Sequence, residues 1–259
     1  MPKLTEGARS AEAFRERRRA RVKTILTILA ALVLAPLTAV AGMAVPGNGY
    51  YLSGTLIVLY AIVPFFVSFE GRRPTAREIA VVAVLTALAV AARAAFIWVP
   101  HFKPMAAVIM IAGLAAGPQT GFLVGSVAAL ASNFIFGQGP WTPWQMFAYG
   151  FGGMLAGLFA LCGILKKSPR AWRDGGWRDI LGLTVFGFLC ILLVVGPLLD
   201  TSTFFMAGFS ASSPLAIYLA GVPVNCVHGS AVALTMLLFG KPLLDRLRRI
   251  QIKYGMMEP

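Results

Sequence analysis

The chain has 259 residues, of which 58% are hydrophobic and only 13% charged, and a formal net charge of +13. Its charges are clustered and leave long uncharged runs, which excludes an ordinary soluble domain and points to transmembrane helices. No alternation is long enough for a barrel, and the basic excess borders the apolar runs, so it requires no nucleic acid partner.

In chain order the sequence predicts an all-α, multi-pass membrane bundle of eight spans. The first two are Thr24–Val45 and Tyr51–Phe69, joined by a tight Pro46-Gly47-Asn48-Gly49 turn. Six more follow at Glu78–Val99, Pro104–Gly117, Gln119–Phe136, Thr142–Leu165, Ile180–Leu199 and Pro214–Gly240. Pro104–Gly117 is short for a full crossing at ~1.5 Å per residue. The charged run Glu70–Arg77 separates the first two spans from the rest. The domain reading is a basic tail at 1–23, a transmembrane hairpin at 24–69, a six-helix substrate-binding core at 77–240 and a basic tail at 241–259. The last tail is amphipathic, with Leu243, Leu244, Leu247, Ile250 and Ile252 near helical spacing. It suits the inner leaflet or a partner helix.

Orientation follows from the positive charges. Of 23 Lys and Arg, eight precede the first span, three lie in Glu70–Arg77, five in Lys166–Arg178 and five after Gly240. All four segments fall on one side of an eight-span chain. The opposite side has Lys103 alone, and Arg93 lies within a span. The basic side is therefore expected in the cytoplasm, with both termini inside and the protein in the cytoplasmic membrane. The N-terminal tail is followed by a full-length span without a convincing cleavage site, which reads as an anchor rather than a signal peptide.

Catalytic chemistry is not visible. The spans contain no paired carboxylates: Asp200 is expected at the outer end of one helix and Glu78 at the inner start of another. Ion-coupled carriers need an acid at mid-depth, and ATPases need a phosphate loop; the chain shows neither. Cys162, Cys190 and Cys226 lie within spans without metal-ligand spacing and read as apolar filler. The expectation is a non-enzyme with no metal and no cofactor of its own.

What stands out is Phe136-Gly137-Gln138-Gly139-Pro140-Trp141-Thr142-Pro143-Trp144-Gln145, an uncharged connector with two Trp and two Pro. Trp suits the membrane–water interface, and proline lowers the entropy lost on closing over a ligand. A second aromatic connector, Trp98-Val99-Pro100-His101-Phe102-Lys103-Pro104, lies on the same side. Together they read as a lid or as an interfacial belt. Arg93 either snorkels to that surface or faces a ligand. Asn133, Asn225 and His228 are polar groups that need partners, from another helix or from a ligand; the last two share a helix face. Ala83, Ala87, Ala91 and Ala95 recur at spacing four, a stripe that either packs inside the bundle or docks another membrane protein.

With these residues in view, the core resembles the substrate-binding S component of energy-coupling factor (ECF) vitamin transporters. The resemblance covers roughly residues 77–240. It is carried by the alanine stripe, Lys103-Pro104, the Gly117-Pro118-Gln119-Thr120-Gly121-Phe122 turn, Ser132-Asn133 and the run GQGPWTPWQMFAYG at 137–150. The last run is most similar to a subgroup that includes cobalamin-specific members. The resemblance implies capture of a vitamin from outside, followed by docking on a membrane T subunit driven by two cytoplasmic ATPases. It also implies toppling of the whole component during transport, with the alanine stripe facing the T subunit. The two extra N-terminal spans depart from the usual six.

The candidate substrate-binding residues are Arg93, Phe96, Trp98, His101, Asn133, Gln138, Trp141, Trp144, Gln145, Asn225 and His228, with cobalamin or a related corrinoid favoured. Riboflavin or a queuosine precursor is the runner-up, since flat rings would stack on the same Trp residues. From other classes, a membrane scaffold and a lipid-metabolism enzyme remain as rivals.

Overall fold

A computed structural model describes residues 22, 33–34, 37–38, 41, 49–70, 75–162, 177–207 and 214–254. Among them every regular element is helical. Most of the first predicted span and most of the Lys166–Arg178 segment lie outside the described residues. Four helices are long and apolar enough to cross a membrane: Pro118–Phe136, Thr142–Leu161, Asp179–Thr203 and Leu215–Tyr254.

The helices are α1 (Gly49–Glu70), α2 (Ala76–Ala94), α3 (Met105–Ala116), α4 (Pro118–Phe136) and α5 (Thr142–Leu161). Then follow α6 (Trp177–Cys190), α7 (Gly196–Ala207), α8 (Pro214–Thr235) and α9 (Lys241–Tyr254). α2 begins with a capping box: the Glu78 N–H donates to Thr75 Oγ1 at 3.3 Å, and the Thr75 N–H to Glu78 Oε2 at 2.6 Å. Two donors left over at the helix start are thereby used.

α3 is the spine. Met105 to Gly113 are buried without interruption, as an apolar helix enclosed on all sides must be. Its neighbours α4 and α5 approach along glycines. A methyl group added at Gly113 or Gly121 would strike the backbone carbonyl of Gly153. Close backbone approach of this kind replaces the hydrophobic drive that lipid cannot supply. Ser126 Oγ donates to the Met146 carbonyl at 3.0 Å across the same seam.

Several predicted boundaries are corrected. α2 ends at Ala94 and not at Val99; residues 95–101 form turns. α6 runs into α7 through a π-helical segment, Ile191–Val195, so the helix passes Asp200 and ends at Ala207. Asp200 is therefore not at a helix end. α8 likewise continues through a π-helical segment, Met236–Gly240, into α9. Each π segment lies just before a proline, Pro197 or Pro242. A proline ring collides with the carbonyl four residues earlier, and the wider turn makes room for it.

α9 packs against the end of α3. Leu244 and Leu247 are buried, and Gln251 Nε2 donates to the Ala115 carbonyl at 2.7 Å. That carbonyl belongs to the unsatisfied last turn of α3. The 12 residues of α3 therefore separate two ends of the bundle, one capped by α9 and one formed by the connectors at 95–104 and 137–141.

Candidate functional site

At the connector end, four parts of the chain surround a cavity of about 230 Å³. His101 and Lys103 come from the α2–α3 connector, and Trp141, Gln145 and Tyr149 from the start of α5 and the residue before it. α7 supplies Leu199, Asp200, Ser202, Thr203 and Met206; α8 supplies Val224, Asn225 and His228. Spacings of three and four place these residues on single helix faces. His101 has φ of 60°, a left-handed conformation uncommon for a side-chain-bearing residue.

Polar groups converge on this space. Asn225 Nδ2 donates to Asp200 Oδ2 at 2.8 Å, joining α8 to α7. His228 is buried, hydrogen-bonds to the backbone of Lys103 and lies edge-on to Tyr149, with ring centroids 5.9 Å apart. Its Nε2 has no partner. Lys103 is half-buried. Burial, and then the nearby Arg93 guanidinium, push its ammonium below the ordinary lysine value.

Behind the cavity lies a second polar layer. Arg93 is buried and its Nη1 donates to Ser132 Oγ and, at 3.0 Å, to Asn133 Oδ1. The guanidinium also lies 4.3 Å from the Phe136 ring centroid, a cation–π contact. Asn133 Nδ2 donates to Gln145 Oε1 at 2.8 Å and to Thr142 Oγ1 at 3.0 Å. Thr142 Oγ1 donates to Gln138 Oε1 at 2.9 Å, and Gln138 Nε2 to the Leu130 carbonyl at 3.1 Å. Gln145 thus belongs to both the cavity wall and the network that ties the 137–141 connector to α2.

Of the predicted ligand contacts, His101, Trp141, Gln145, Asn225 and His228 meet at the cavity. Arg93, Asn133 and Gln138 stand behind it in the polar layer. Arg93 is turned inward and does not snorkel. Phe96 packs on Phe102, centroids 5.0 Å apart, outside the cavity lining, and Trp98 is 91% exposed. Trp144 does not line the cavity: it is 8% exposed and packs against Phe205, in a cluster with Val58, Ile62 and Phe122. The two Trp of the connector therefore do not form one lid: Trp141 borders the cavity, and Trp144 is core.

Sequence reasoning missed Lys103, Tyr149, Asp200 and the face of α7. Trp141, Gln145 and Tyr149 recur at spacing four, and that signal would have found Tyr149. Asp200 was obscured by placing the helix end too early.

A larger hollow of about 580 Å³ lies between α5 and α6, lined by apolar residues such as Leu155, Phe159, Phe186 and Leu189. It has no charged or amide side chain to orient a polar ligand. Among the described residues no cluster of His, Cys, Asp and Glu fits a metal ion.

A multi-pass helical bundle with a polar cavity at one end is a membrane component with room for a small ligand. Residues 74–245 match the family model of the S component of ECF-type riboflavin transporters. The match spans more than half of the chain, and the chain belongs to this family of transporter components. Neither a curated protein nor a solved structure matched it. α1 lies outside the matched residues.

Proposed function

We propose that the chain is the substrate-capturing subunit of an ECF-type importer, taking a small vitamin into the cavity at the connector end. That end faces outward in this reading, because the basic segments place the opposite end in the cytoplasm. The six helices of residues 77–240 act as the capture core. Docking on a T subunit driven by two ATPases supplies the energy that this chain has no means to generate. Ala83, Ala87 and Ala91 are exposed on α2 and Ala95 just past its end, which suits a docking face.

The observation that carries the reading is the cavity itself: aromatic Trp141 and Tyr149 beside convergent Gln145, Asn225 and His228. Aromatic walls with a few fixed polar groups suit a flat heteroaromatic vitamin. At about 230 Å³ the cavity lies below the roughly 300–1,000 Å³ usual for drug-sized ligands. Riboflavin is itself of drug size, so the cavity would widen to hold it, and the preference for a cargo of that scale comes from the matched family. A corrinoid would require the two connectors to move well apart, and it is the second reading, supported by the Trp-Pro run at 137–150.

Equilibrium binding of the detergent-purified chain to a vitamin panel tests this. Saturable binding of a flat vitamin supports the first reading, and binding of cobalamin alone replaces it with the second. A folded chain that binds nothing would return the weight to a scaffold.

A further inference from the structure

The connector end holds more positive charge than it balances. Arg93 is buried, and among the described residues its side chain meets neutral groups: Ser132, Asn133 and the Phe136 ring. Its Nε has no acceptor. Lys103 lines the cavity, and among the described residues its side chain has no hydrogen-bond or ion-pair partner.

Asp200 is the only carboxylate among the lining residues, and it forms no ion pair with Lys103 or Arg93. Its Oδ2 is held by Asn225 Nδ2 at 2.8 Å, on the α7–α8 side of the cavity. Burial first, and then the like charge of Arg93, hold the Lys103 ammonium below the ordinary lysine value. A cation removed from water without a counter-charge is unfavourable, and sites built this way gain most from an anion. A neutral vitamin would leave both cations uncompensated. A carboxylate or phosphate monoester would accept from Lys103 and neutralise the pair.

We propose that the cavity takes its small ligand in anionic form, with a carboxylate or phosphate monoester seated on the unpartnered Lys103. This rests on the capture reading and narrows it: within a cargo of riboflavin scale, an acidic derivative is favoured over neutral riboflavin itself.

The test is equilibrium binding of the purified full chain to pairs that differ in one acidic group. The pairs are riboflavin and riboflavin 5′-phosphate, pantothenol and pantothenate, and nicotinamide and nicotinate. In the pair that binds, the anionic member should bind roughly tenfold tighter or more, as expected for a charge-assisted contact. Lys103→Gln should reduce the difference to about twofold, and Lys103→Arg, which keeps the charge, should restore most of it. Equal affinity within a pair, or a tighter neutral member, overturns the inference while leaving capture standing. Loss of the preference in neither variant would also overturn it, by removing Lys103 from the contact. If a folded chain binds no member of any pair and nothing else in the vitamin panel, the capture reading itself fails. The wild-type comparison decides the charge class even where a variant does not fold.

Discussion

Two apolar faces of the bundle contrast: among the described residues, one is covered by a further helix and the other is open. On the first, α1 lies against α4, α5 and α7 and buries Ser53, Val58 and Ile62. Gly54 sits so close to Phe205 and Trp144 that an added methyl would lie 2.8 Å from the Phe205 ring. On the second, α2 leaves Ala83, Ala87 and Ala91 uncovered, flanked by Val84 at 66% and Leu88 at 41% exposure. The inward side of the same helix carries Val82, Leu85, Ala89 and Arg93. The covered face is shaped by large rings closing on a glycine, and the open face is smooth. A smooth face in lipid gains little from the lipid itself, but permits another helix to approach closely. The extra helix α1 thus braces the wall behind the cavity and does not occupy the alanine stripe.

The largest expected effect breaks the open face. Ala87→Leu with Ala91→Leu adds bulk where a partner helix would sit, without touching the cavity. Vitamin uptake by cells expressing the whole transporter should be abolished, while affinity of the purified chain stays within about twofold, as for a site away from every ligand contact. Normal uptake by this variant would remove the stripe from the docking surface. Breaking the covered face should do the reverse. Gly54→Leu drives a side chain into Trp144 and Phe205 and should cost about 1–3 kcal/mol of stability, measured by thermal unfolding. Because Met206 and Gln145 adjoin those rings, ligand affinity should fall as well. A Phe205→Ala change in the same chain should recover part of both losses. If Gly54→Leu alters neither, α1 is not a brace.

The contrast between the faces was only half legible in the sequence. The alanine spacing marked a stripe, but spacing does not say whether a stripe faces in or out; the three-dimensional neighbours decide. Trp144 shows the same limit. It stands three residues from Trp141 in a run that looks like one aromatic loop. Trp141 borders the cavity, however, and Trp144 packs in the core against Phe205; a spacing of three keeps both near one helix face and does not separate these roles. Asp200 was misplaced because apolarity falls off there, although the π segment before Pro197 lets the helix continue. The Asn225–His228 pair was readable because their spacing alone fixes a shared face. The buried course of Arg93 was not, since a side chain that length reaches either water or the interior.

A smaller effect probes the layer that joins the faces. Asn133 accepts from Arg93 and donates to Gln145 and Thr142, so Asn133→Ala leaves several buried groups short of partners. The expected loss is about 1–3 kcal/mol in stability, with weaker ligand binding because Gln145 loses its anchor. Asn133→Asp should behave differently: it places a carboxylate beside Arg93 but removes the donor to Gln145. Stability should then recover more than affinity does. Equal recovery of both would mean that Gln145 needs no anchoring from Asn133.

The smallest effect lies at the far end. Gln251→Ala on α9 frees the Ala115 carbonyl, and about 1 kcal/mol of stability should be lost, as for a single hydrogen bond. Water can replace this bond in part, since Gln251 is only half-buried, which sets the loss below that of Asn133→Ala. Ligand affinity should not change, because α3 separates α9 from the cavity. A fall in affinity would show that the two ends of α3 are energetically coupled. α3 would then have to be treated as a rigid rod transmitting strain rather than as the bundle's passive spine.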